Sequence, residues 1–216
     1  MKKVTGWDYM SLALLAFAGI GLEVPLFYWI EPFVYGVQYS EWSVVQHLIH
    51  WTVTCILWGT VAYLLIRCAK NKYGFDICER GSKVKAWQWL TIAVVVVLSL
   101  VISYIDWNGS KVIKEFYANG WLKFIFQYIY YVFEVVLVTL ILVFGQRAFE
   151  IWFHKPNIPY GGILIALTWG IGHFFTKGIL TGILCMISGL AFGSVYLLVN
   201  RDIRKAYGLL FVIFVL

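Results

Sequence analysis

The chain has 216 residues, 62% of them hydrophobic and only 13% charged, and its mean hydropathy is +0.81. Soluble domains carry about 25% charged residues, so this composition excludes an ordinary soluble domain and points to an integral membrane protein. The net charge of +6 is not a nucleic-acid signature, because the basic residues gather in short loops between apolar runs with no aromatic-interleaved basic stripe.

The first ten residues have the basic start of a signal peptide. The apolar run that follows, 9–30, is about 20 residues long, enough to span a bilayer. It has no small-residue cleavage site, so it is expected to remain as a transmembrane helix. Within it Glu23 stands between Gly19 and Pro25, a setting that predicts a kink and opened backbone carbonyls. The second run, 43–66, carries His47, His50 and Thr54 on one helical face. A third covers 86–106. In the fourth, 124–145, Gln127, Tyr130, Tyr131 and Glu134 recur at helical spacing as a polar stripe. Runs 161–178 and 179–199 are rich in glycine, and Gly189 and Gly193 form a small-xxx-small pair that permits close helix approach. The last run, 207–216, is too short for a full crossing and reads as half a span or a helix leaning back into the bundle.

The expected fold is therefore an all-α polytopic transmembrane bundle, a single membrane domain of six full spans plus a short C-terminal helix. Lysine and arginine set its orientation. Only Lys111, Lys114, Lys123 and Lys177 of the 17 fall in segments on the far side of the N-terminus. The excess on the other side predicts a cytoplasmic N-terminus and residence in the cytoplasmic membrane. The four cysteines lie in spans or in a loop expected on the cytoplasmic side, which argues against a disulfide framework.

Five ionisable groups interrupt the apolar runs: Glu23, His47, His50, Glu134 and His173. With a rise of 1.5 Å per residue, Glu134 lies roughly 13 Å and His173 roughly 12 Å below the outer face. Glu23, His47 and His50 follow at roughly 9, 6 and 10 Å, so all five share the outer half of the bilayer. Ionisable groups at membrane depth cost a few kcal/mol each and usually mark function. A buried glutamate beside a buried histidine can activate water, the carboxylate as general base and the imidazole as orienting or charge-stabilising group. His47, His50, His173 and Glu134 together also suit a zinc ion; otherwise no cofactor is implied. No serine-hydrolase elbow, phosphate loop or dinucleotide fingerprint occurs.

Leu164 to Tyr196 resembles the second motif region of the CAAX protease and bacteriocin-processing family of intramembrane peptidases. Trp169 and His173 match its aromatic-x-x-x-His motif, and Glu134 lies where that family places a catalytic glutamate. The resemblance implies that Glu134 is the water-activating base and His173 its partner. It covers about the last 80 residues and is divergent: Phe133 and Val135 flank Glu134, Val138 occupies the arginine position, and no histidine follows His173. The reading is a membrane-embedded hydrolase or transferase acting on a peptide or lipid-linked substrate, with Glu23, His50, Gln127, Tyr131 and Trp169 binding that substrate. The alternative is a non-catalytic membrane protein, such as an immunity, chaperone-like or ion-transport component, or a metal-dependent membrane enzyme.

Overall fold

A computed structural model describes residues 4–216. Helices are its only regular structure among the described residues, and five of them are long and apolar enough to cross a membrane. The first, α1 (Gly6–Tyr35), starts at a capping box in which Asp8 accepts from the Thr5 backbone N–H at 2.8 Å. It breaks its regular pattern at Leu22 and passes through a π turn over Leu26–Ile30. Pro25 has no N–H to donate to the preceding turn, so the ladder opens there as the sequence predicts. Gly36, at φ 71°, ends the helix in the left-handed region.

Helix α2 (Val44–Tyr73) returns after a Ser43–Gln46 capping box, and α3 (Ala86–Asp106) follows along the periphery with only Gln88 and Ile92 buried. The outward side chains of α3 include Leu90, Val94, Val97, Leu98, Val101 and Ile105, the apolar surface a helix shows to lipid. The fourth helix, α4 (Lys111–Phe153), runs past the expected 124–145 in both directions. Its first turns, beginning at Lys111, are set off from the rest by Gly120, whose φ of 68° and ψ of 169° are not helical. From Glu134 to Ala148 it is the buried post of the molecule, with Leu137, Val138, Ile141, Leu142 and Phe144 fully enclosed.

Around this post pack α1 and α2 on one side. On the other are α5 (160–177) and α7 (Ile203–Val215); α6 (Ile179–Leu198) packs behind them against α5, α7 and α3, and α3 also meets α7. A full span was expected over 161–178; the helix found there, 160–177, is interrupted by a π turn over Ala166–Gly170 and is not among the five membrane-length helices. Its glycines let α6 come close: a Cβ on Gly162 would meet the Gly189 carbonyl at 2.6 Å and Gly193 Cα at 2.9 Å. The small-xxx-small pair is thus used as the sequence suggests. Helix α7 is about 20 Å long at 1.5 Å per residue and packs against α4, α6 and α3. Asp202 caps its start. All four cysteines are free.

Candidate functional site

The end of the bundle where α1 finishes and α4 begins is called distal below. On that side a cavity of about 590 Å³ opens between α3, α4, α5, α6 and α7. Glu134 and His173 both line it, together with Gln127, Tyr131, Trp169 and the ammonium-bearing Lys111, Lys114 and Lys177. Trp169 ties the first two together. Its indole N–H donates to Glu134 Oε1 at 3.1 Å, and its backbone carbonyl accepts from His173 Nδ1 at 2.8 Å. The two rings also pack with centroids 4.3 Å apart. The π turn over Ala166–Gly170 presents Trp169 this way, re-phasing α5 immediately before the histidine.

This geometry fixes a tautomer. A carbonyl can only accept, so Nδ1 carries the proton and Nε2 of the neutral imidazole is left as an acceptor. The Glu134 carboxylate, only 9% exposed, receives the Trp169 N–H as its one side-chain hydrogen bond among the described residues. No hydrogen bond joins Glu134 directly to His173 among those residues. Two acceptors thus line one polar cavity without consuming each other.

Gln127 and Tyr131 also line the cavity, but both are engaged by a carboxylate the sequence reading passed over. Glu115, 5% exposed, accepts from Tyr131 Oη at 2.7 Å, Tyr128 Oη at 3.0 Å and Gln127 Nε2 at 3.4 Å. Ser110 caps that first helical stretch of α4 by accepting from the Ile113 N–H, and Lys111 and Glu115 stand one turn apart on it. The Lys111 ammonium donates to the Phe214 carbonyl at 2.8 Å and rests over the rings of Tyr131 and Phe214 at 5.1 and 5.4 Å.

No protein-family model, no curated protein and no solved structure matches this chain.

Two of the expected groupings are spread over separate places. Glu23 and His50 were expected to bind substrate beside Glu134, yet neither lines this cavity. They belong to a separate cluster between α1, α2 and α4, with Glu31 and Tyr130, because the kinked half of α1 turns Glu23 and Glu31 toward His50 on α2. The four zinc-ligand candidates do not converge either. His173 shares the cavity with Glu134, His50 sits in the other cluster, and His47 stays at the start of α2 with Nδ1 3.0 Å from the Ser43 carbonyl. Among the described residues no group of three or more histidine, cysteine or acidic side chains could hold a metal ion.

Proposed function

We propose that this protein is a membrane-embedded hydrolase or transferase, with Glu134 and His173 as its reacting groups. The observation that carries the reading is one cavity lined by a nearly buried carboxylate and an imidazole, both held on Trp169. A water between them gives one hydrogen to Glu134 and the other to His173 Nε2, so its lone pair turns toward a bound carbonyl or phosphoryl centre. As that oxygen attacks, Glu134 takes the proton and returns it to the leaving group when the scissile bond breaks. The lysines at the cavity favour a substrate with an anionic end, and the surrounding apolar helices favour one presented from the bilayer, a peptide or a lipid-linked molecule. This agrees with the resemblance of Trp169, His173 and Glu134 to the CAAX protease and bacteriocin-processing peptidases.

In the same reading, segment 160–177 completes a sixth crossing paired with α6. The N-terminus lies in the cytoplasm of a cell whose cytoplasmic membrane holds the protein, and the cavity faces the outer side. The test is turnover in lipid nanodiscs containing heavy-oxygen water, with pooled membrane peptides and lipid-linked substrates analysed by mass spectrometry. A hydrolase places one heavy oxygen in the carboxyl or phosphoryl product and none in the leaving group, a transferase forms product without it, and Glu134→Gln abolishes both. Product formation unaffected by Glu134→Gln would place the chemistry elsewhere. A non-catalytic role is favoured by Val138 and by the lack of any histidine after His173, where the peptidase family carries functional groups. Absence of product from the whole pool supports that second reading.

A further inference from the structure

The cluster outside the cavity has chemistry of its own. The His50 ring, 2% exposed, lies between two carboxylates: Nδ1 is 2.6 Å from Glu31 Oε2 and Nε2 is 3.1 Å from Glu23 Oε1. Tyr130 Oη donates to both Glu23 oxygens at 3.0 and 2.9 Å. An ionised carboxylate only accepts, so each ring contact must contain a proton, whether it rests on nitrogen or on oxygen. A neutral imidazole brings one. The arrangement therefore holds one proton more than a neutral histidine and two carboxylates supply.

The surroundings do not replace that proton with another cation. Tyr39, Cys55 and Glu134 lie within electrostatic reach of Glu23, and Tyr35 within reach of Glu31. His47, on the same helix, packs against Tyr39 and Trp42, and Trp42 in turn packs against His50. Among the described residues neither carboxylate is paired with a lysine or arginine. Two buried polar atoms without partners among the described residues, Thr54 Oγ1 and Trp58 Nε1, continue the His50 face of α2 one and two turns further on.

Position gives the cluster its consequence. From Glu23 to Tyr35 the one buried residue is Glu31, while Trp29, Phe33 and Val34 are 67%, 89% and 68% exposed. The segment hangs from a joint made by Pro25 and the π turn. Phe27 packs on Tyr39, Trp42 and His50 and Tyr35 packs on Trp42, but the segment's one buried attachment is the Glu31 carboxylate on the imidazole. We infer that Glu31, His50 and Glu23 form a proton-binding site that latches the distal part of α1 to α2 and α4. Loss of one proton sets a carboxylate oxygen against a bare ring nitrogen, lone pair to lone pair, and the latch opens.

Two measurements test this, and neither uses catalytic turnover, so the inference and the hydrolase reading fail separately. Nitrogen-15 histidine NMR in nanodiscs at neutral pH is expected to show two hydrogen-bonded ring protons that vanish in His50→Gln. A contact with no proton on either its ring nitrogen or its facing carboxyl oxygen overturns the inference. Hydrogen exchange over 23–35, corrected for intrinsic rates, is expected to rise about tenfold or more between neutral and alkaline pH, with 6–21 unchanged. In Glu31→Gln the amide can donate to or accept from Nδ1 in either state, so the rise should disappear. A flat profile in the parent protein, or the same rise in Glu31→Gln, contradicts the latch.

Discussion

Trp169 does two jobs from one position, presenting its indole N–H to Glu134 and its carbonyl to His173. Trp169→Phe keeps a ring against the imidazole but strips the carboxylate of its donor. Water in the cavity can take the place of that donor, so the fold is little disturbed, but a base no longer held in position should lose roughly 10- to 100-fold in turnover. The melting temperature in detergent should move only slightly, and a loss of folding equal to the loss of turnover would make Trp169 merely structural. Glu134, Trp169 and His173 were legible because ionisable and aromatic-polar groups stand out within apolar runs. Glu31 and Glu115 were not. Each sits at a polar margin, beside Pro32 or among lysines, where a carboxylate is ordinarily solvated. Their burial comes from partners 19 and 16 residues away, a relation no local pattern contains.

At the scale of elements, irregular backbone sets the chemistry. The π turns at Leu26–Ile30 and Ala166–Gly170 lie beside the His50 cluster and the Glu134 cavity respectively. Pro25 announces the first, and nothing comparable announces the second. The α5–α6 contact was legible through the glycine-rich runs on both sides, Gly189 and Gly193 on one and Gly162 on the other. Gly162→Ala forces a methyl onto the Gly189 carbonyl, and overpacking of this kind costs about 1–3 kcal/mol. A lowered melting temperature should report it, and an unchanged one would mean the helices can separate freely. Gly120 is different, with open space around it but a φ of 68°. Gly120→Ala should cost about 1–3 kcal/mol through backbone strain alone. It should also disturb the Glu115 network, visible as faster hydrogen exchange over 111–119.

For the molecule as a whole, the alternation of long apolar helices with short charged turns was readable from hydropathy, and five of the expected spans became membrane-length helices. What hydropathy could not supply was which faces meet, since nearly every face is apolar. It therefore could not separate the cavity from the His50 cluster. The turn from α6 into α7 adds an electrostatic fastening outside the apolar helices. Asp202 accepts from the Arg204 guanidinium and pairs with Lys205, which holds its carboxyl well below the usual range. A depressed folded pKa stabilises above the unfolded value of about 3.9 and is lost as pH falls through the lower folded one. The melting temperature of the parent protein should accordingly drop more steeply below about pH 4 than that of Asp202→Asn; parallel curves would remove this contribution.

Glu134 in its cavity is the proposed reacting base. Its most direct test compares product formation by the parent protein and Glu134→Gln, purified in parallel at equal melting temperature in nanodiscs. The account predicts loss of at least about 100-fold in rate with the fold intact, as removal of a general base requires. A Glu134→Gln protein that is equally stable and equally active would contradict it.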